Sequence, residues 1–246
     1  MIINKFKTID KQYNELPKKV IFCRNCVVSN QRPRTKLDDQ GVCSACNWSY
    51  EKDFKIDWPS RNKQLIKLLD KHRKNNSEFD VLVPGSGGKD SAFVSHQLKH
   101  KYGMKPLTCT WAPFDWSNIG WKNFRNWTNS GFPNITFHQD GLIHRKLSSL
   151  AMRLVGDPWQ PFTYGQKSWA WHIAQKFNIK LIFYGENGEL EYGGSEKYKF
   201  KPKEGPEEWE YQYMKGAGLE KLLNYGSKTK FINKEELNDP SLKFYY

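Results

Sequence analysis

Val81-Leu82-Val83-Pro84-Gly85-Ser86-Gly87-Gly88-Lys89-Asp90-Ser91 decides the fold: an apolar run enters a glycine-rich turn, and a periodic segment follows from Ala92 to about Tyr102. That order reads as strand, loop and helix start. The first N–H groups of a helix have no partner within it, so such a turn suits a bound phosphate. Lys89 adds a positive charge, and Ser86 and Ser91 add hydroxyl donors. Asp90 makes sense beside phosphates mainly as a ligand for a metal ion.

Two common phosphate loops are excluded. The G-x-x-x-x-G-K-[ST] pattern fails because Val83 stands at its first glycine and Asp90 follows Lys89. The G-x-G-x-x-G pattern fails because Gly85 and Gly87 are followed by Asp90.

Strand and helix signals alternate outward from this stretch. A helix is predicted from Lys89 to Lys101, a strand over Lys105–Trp111 after the Gly103 stop, a helix over Ser117–Ser130 and a strand over Asn134–His138. Helices over Leu142–Val155 and Gln166–Asn178 follow, then a fourth strand over Ile179–Tyr184. The expected fold class is α/β, a doubly wound, mostly parallel sheet with helices on both faces. Ligands of such sheets bind beyond the carboxyl ends of the strands, where Ser86–Ser91 falls.

Upstream, Cys23-x2-Cys26 and Cys43-x2-Cys46 stand sixteen residues apart. Each pair can present two thiolates from a tight knuckle, and two knuckles can close around one tetrahedral Zn²⁺. Four thiolates leave no open position, so the metal is structural; an iron–sulfur cluster would use the same ligands. The Asn30-Gln31-Arg32-Pro33-Arg34-Thr35 run between the pairs reads as a basic solvated loop. A connecting helix is expected at Trp58–His72, with Leu65, Ile66, Leu68 and Leu69 at helical spacing. The expected organisation is a zinc module over 1–50, a connecting helix over 51–79, an α/β domain over 80–195 and a helical segment over 196–246.

Composition bounds the rest. The 246 residues are 38% hydrophobic and 15% aromatic, enough for a globular core. No apolar run approaches ~20 residues, and the first residues lack a signal-peptide pattern, so a cytoplasmic protein without membrane partners is expected. A net charge of +13 favours a polyanionic partner: nucleic acid, a nucleotide or an acidic sugar.

The Ser86-Gly87-Gly88-Lys89-Asp90-Ser91 loop resembles the SGGxDS loop of the N-type ATP pyrophosphatase (PP-loop) superfamily, whose members cleave ATP to AMP and pyrophosphate. Tyr184-Gly185-Glu186-Asn187-Gly188-Glu189 resembles the G-x-N loop lying across the nucleotide in that superfamily. With the two cysteine knuckles and Tyr102-Gly103-Met104-Lys105-Pro106-Leu107, the chain is similar, over about residues 20–195, to the N-acetyl sugar amidotransferases of surface-polysaccharide (lipopolysaccharide) and flagellin-glycan synthesis. The resemblance implies an adenine nucleotide alpha hydrolase-like fold, and ATP, Mg²⁺ and Zn²⁺ as cofactors. It implies an N-acetyl sugar substrate and separate glutaminase subunits that supply ammonia. An acetamido group would be adenylylated on oxygen and converted to an acetamidino group.

By the same resemblance Lys89 and Asp90 are catalytic, and Ser86, Gly87, Gly88, Lys89, Asp90, Ser91, Thr110, Trp111, Gly185 and Asn187 hold the nucleotide. Asp90 binds Mg²⁺, with Glu186, Glu189 or Glu191 as a candidate helper. The competing reading is a tRNA-modifying enzyme of thiolation type. After the knuckles are assigned only Cys109 remains, expected as a buried hydrophobe and poor support for sulfur transfer. His138, His144 and His172 read as core or capped residues, and most tryptophans as core or interface anchors. Asp157–Phe162 is expected as a rigid loop near the acceptor, and Lys167 as a second phosphate contact. Trp209–Tyr225 is expected as one helix, after which the chain stops at Tyr246, where such enzymes are expected to continue.

Overall fold

The computed structural model describes residues 16–186 and 191–246, apart from 195, 197, 198, 202, 204, 206, 207, 210–212 and 215–217. Three strands form its sheet: β1 (Val81–Pro84), β2 (Pro106–Trp111) and β3 (Asn134–Phe137). They lie in the order β1-β2-β3, all parallel, with Leu82 opposite Leu107 and Cys109 opposite Ile135. The expected fourth strand takes its place on the free side of β1 through a single parallel bridge, Leu82 to Ile182. Leu82 donates its N–H to the Leu181 carbonyl at 2.9 Å, and Phe183 donates to the Leu82 carbonyl at 2.8 Å.

The helices are α1 (Ser44–Phe54), α2 (Trp58–His72), α3 (Lys89–His96), α4 (Asn118–Asn129), α5 (Gly141–Val155), α6 (Gln160–Lys176), α7 (Gly218–Lys228) and α8 (Lys234–Leu237). A short 3₁₀ helix closes the chain at Pro240–Tyr245. Local chemistry starts several of them. Asp57 caps α2 by accepting the Ser60 N–H, Ser117 caps α4 by accepting from Gly120, and Asp140 caps α5 by accepting from Leu142 and Ile143. Gly156, at φ 72°, ends α5 in the left-handed conformation that glycine favours.

Successive strand residues point to opposite faces, and both faces are covered. Leu82, Leu107, Cys109 and Trp111 join the larger core with α5, α6, α7 and the terminal 3₁₀ helix. Val81 and Val83 pack on the other face with Leu69 of α2, Leu98 and Met104. This is the doubly wound α/β arrangement expected from the alternation.

Four boundaries differ from expectation. The helix after the glycine turn is α-helical only to His96 and widens to a π turn over Gln97–Lys101, closed by the Tyr102 N–H on the Gln97 carbonyl. The helix at α6 begins at Gln160, six residues before the expected start, because Pro161 sits in its first turn, where a missing N–H costs nothing. The expected Asp157–Phe162 loop is therefore partly helix. Helix α7 runs on to Lys228, past the expected end at Tyr225, and part of the stretch expected as helix before Gly218 lies outside the described residues. Finally, α1 starts inside the second cysteine knuckle, with Cys43 as its N-cap.

Candidate functional site

The carboxyl ends of β1 and β2 open into a cavity of about 310 Å³. The glycine turn forms one wall through Gly85, Ser86, Gly88, Asp90 and Ser91; Tyr184, Gly185 and Glu186 form a second; Thr163, Gln166 and Lys167 of α6 form a third. Cys109 and Trp111 of β2 line its base.

The turn is tightly seated. The Gly85 N–H donates to the Cys109 carbonyl at 2.9 Å, and the Thr110 hydroxyl donates to the Gly85 carbonyl at 2.6 Å. A Cβ on Gly85 would lie 2.2 Å from that of Ser91. Gly87 has φ +80°, and a Cβ there would lie 2.7 Å from the Phe124 Cα. Gly88 is the N-cap of α3 and supplies no side chain to the helix's first amides, so they are left for a ligand.

The residues expected to bind or act fall into three groups. Ser86, Gly88, Asp90, Ser91, Trp111 and Gly185 share the cavity. Gly87 and Thr110 support it: Gly87 fits the loop against α4, and the Thr110 hydroxyl is spent on the loop backbone. Ser91 is buried, and its hydroxyl donates to the Gly88 carbonyl at 3.2 Å. Lys89 turns outward: its side chain is 88% exposed and its ammonium lies 2.6 Å from the Asp90 carboxylate. The hydrogen bond to Asp90, followed by that residue's charge, holds the Lys89 pKa above its usual value. Asn187 and Glu189 lie outside the described residues. Glu186 lines the cavity, whereas Glu191 pairs with Lys52 at 2.8 Å.

Trp111 is 5% exposed, stacks on Phe137 at 4.9 Å and meets Tyr245 edge-on at 5.1 Å. Gly165 rests on its ring so closely that a Cβ would lie 2.1 Å from Cζ2. Thr163, Trp169 and Tyr213 also line the cavity, and the sequence reading missed them. Pro161 was the available signal: a helix started there puts residues 163, 166 and 167 on one face.

The four knuckle cysteines come together, with their sulfurs all within 4.8 Å of one another. Cys26 Sγ and Cys43 Sγ are 3.6 Å apart, too far for a disulfide and close to the ~3.8 Å edge of a tetrahedron with ~2.3 Å metal–sulfur bonds. The N–H groups of Asn25 and Cys43 point at Cys23 Sγ, at 3.3 and 3.2 Å. Burial works to raise the Cys23 pKa, but hydrogen bonds from the backbone of Asn25, Cys43 and Cys26 outweigh it and bring it to about 6. Burial raises that of Cys43 and pushes Cys46 up to about 12. Asp38 shapes the second knuckle, accepting the Asn47 amide at 2.8 Å and the N–H groups of Val42 and Gln40. The donor set and spacing fit a closed tetrahedral metal site.

The cysteine module touches the chain just beyond the cavity. Ser44 Oγ donates to the Gly193 carbonyl at 2.5 Å, and Gly193, at φ +75°, packs against Ala45. The Arg32 guanidinium lies over the Tyr192 ring at 4.9 Å, so the loop between the knuckles is not wholly solvated.

No protein-family model matches the chain, and no curated protein matches it. Among solved structures, the NH3-dependent NAD synthetase from Campylobacter jejuni subsp. jejuni NCTC 11168, in complex with the nitrate ion, is similar at a TM-score of 0.40 and 15% identity. The match covers 74% of this chain and 90% of that one. So loose a likeness adds nothing to the strand order and register described above.

Proposed function

We propose that the chain is an ATP-dependent, AMP- and pyrophosphate-forming amidotransferase of the PP-loop kind, acting on the acetamido group of an N-acetyl sugar. The observation that carries the reading is the turn from Gly85 to Ser91: it delivers uncapped helix amides to a cavity at the carboxyl ends of β1 and β2. That position suits a phosphate chain. The sugar rests on the sequence resemblance at the knuckles and the two loops.

The chemistry explains the need for ATP. An amide carbon is a weak electrophile, and its oxygen leaves poorly. In the proposed reaction that oxygen attacks the α-phosphorus, the bond to the bridging oxygen breaks and pyrophosphate departs. Ammonia adds to the activated carbon, the C–O bond breaks with AMP as leaving group, and loss of a proton leaves the amidine. None of this requires a covalent nucleophile from the protein; it requires positioning and charge stabilisation. The α3 amides and Ser86 would hold phosphate oxygens. Asp90 and Glu186, both lining the cavity, are the carboxylates that would hold Mg²⁺, which neutralises phosphate charge when bound. The cysteine cluster would hold a structural Zn²⁺.

A thiolation enzyme acting on tRNA is the second reading, favoured by the net charge of +13. Against a thiol-borne sulfur, Cys109 is 1% exposed and burial pushes its pKa up to about 12, so it supplies little thiolate. The decisive experiment incubates the protein with ATP, Mg²⁺, ammonium and a panel of N-acetyl sugars and measures AMP and pyrophosphate. Release stimulated by a sugar is expected; release stimulated by tRNA and by no sugar would overturn the sugar reading.

A further inference from the structure

The glycine turn offers Lys89 as the obvious phosphate-binding lysine, but the structure places another cation in the cavity. Lys89 does not line it and engages Asp90 at the surface. Lys167 is the one lysine or arginine among the described residues that line it. Thr163, Gln166 and Lys167 fall at i, i+3 and i+4 on α6, so one helix face carries all three toward the space between the glycine turn and Gly185.

Three rings surround the Lys167 ammonium. Its Nζ lies 4.0 Å from the centre of the Tyr213 ring, 4.3 Å from that of Tyr184 and 5.8 Å from that of Trp209. Aromatic faces attract a cation through their quadrupoles. They also fix a side chain that would otherwise be among the most mobile, so the entropy of ordering it is spent before a ligand arrives. Tyr184 immediately precedes Gly185, which ties the box to the second wall of the cavity.

We propose that Lys167, not Lys89, is the lysine that receives a phosphate oxygen of the nucleotide, an assignment that rests on the ATP reading above. The anion would then lie between a lysine point charge on α6 and the uncapped amides of α3. Asp90 and Glu186 would remain available for the metal.

The test is calorimetric titration with inorganic pyrophosphate and with Mg-ATP. Lys167→Gln should raise the pyrophosphate Kd about 10- to 100-fold, the effect of losing a charge-assisted hydrogen bond. Lys167→Arg, which keeps the charge, should recover most of that loss. Lys176→Gln removes the same charge at the exposed far end of α6 and should stay within about twofold of wild type. Should Lys167→Gln fail to fold, lysine acetylation of the wild type read by mass spectrometry answers the same question: bound pyrophosphate should protect Lys167. A folded K167Q protein with wild-type affinity, or no protection, overturns the inference and leaves the ATP reading standing. Wild-type protein that binds neither ATP nor pyrophosphate overturns the ATP reading itself.

Discussion

Gly185 lies directly against Asp90: a Cβ added at Gly185 would sit 2.9 Å from the Asp90 carbonyl carbon and 3.1 Å from its Cβ. Two loops far apart in sequence thus meet backbone to backbone at the mouth of the cavity. Gly185→Ala must push the second loop away from the first turn of α3. The expected cost is about 1–3 kcal/mol of stability, as for other overpacked sites. Nucleotide affinity should also fall, read by thermal melts with and without Mg-ATP. An unchanged ATP-induced shift in the melting temperature would show that the contact does not shape the site.

Gly87 and Gly88 are adjacent but demand different things. Gly87 has φ +80° and no room beside the Phe124 backbone, so Gly87→Ala should cost about 2–4 kcal/mol through left-handed strain and overpacking. Gly88 has ordinary φ, and its nearest foreign atom is Ser86 Oγ at 3.9 Å. Gly88→Ala should therefore cost only about 0.5–1 kcal/mol, the price of a poorer N-cap. It should lower ATP affinity by placing a methyl beside the open amides. Urea titration and calorimetry on the two variants separate folding from binding.

His144 makes stability depend on pH. It is 1% exposed among Phe114, Phe162 and Tyr245, and burial lowers its pKa from 6.5 to about 4. Between those values the unfolded chain binds a proton that the folded chain refuses, so stability falls as pH drops from about 6.5 toward 4. The loss from this one group approaches about 3 kcal/mol at ~1.4 kcal/mol per unit. His144→Gln, which cannot titrate, should flatten that part of the stability profile whatever it does to stability at pH 7. An equal slope in wild type and variant would assign the acid sensitivity elsewhere.

The sequence made the sheet and the glycine turn readable for local reasons. Val81–Val83 is a short apolar run with turn residues behind it, and Asp57, Ser117 and Asp140 announce their helices through their own side chains. The cysteine spacing likewise carried its geometry, because two C-x2-C knuckles have few ways to place four sulfurs. What escaped was set by tertiary contact. The direction of Lys89 depends on its pairing with Asp90, and the role of Thr110 depends on the Gly85 carbonyl arriving above it. On the α6 face Lys167 was legible as a phosphate contact, but Thr163 was hidden by a helix start placed six residues late, although Pro161 marked the true one. Tyr213 reaches the cavity from within the stretch expected as one helix, Trp209–Tyr225, and only tertiary contact sets which of its residues face the site.

The cysteine cluster should prove to be more than a distant clasp. Its helix α1 begins at Ser44, whose hydroxyl donates to Gly193, and Gly193 packs on Ala45 with no space for a Cβ, which would lie 2.6 Å from the Ala45 nitrogen. Lys52 adds an ion pair to Glu191, and Arg32 covers Tyr192. All three contacts hold residues 191–193, shortly after the Gly185 loop in sequence, so loss of the knuckle fold is expected to disturb that wall of the cavity. Binding energy at a closed four-thiolate site is folding energy. Purified protein should carry about one zinc per chain, and cobalt substitution should give the thiolate charge-transfer bands of a tetrahedral S₄ site. Cys43→Ser should lose the metal and loosen residues 16–54 in hydrogen exchange, whereas Cys109→Ser should keep the metal. Chelation should also increase exchange at Tyr184–Glu186 and reduce ATP affinity, although none of the four cysteines lines the cavity. If chelation frees the knuckles but leaves exchange at Tyr184–Glu186 and ATP binding unchanged, the Ser44–Gly193 contact does not transmit order to the site.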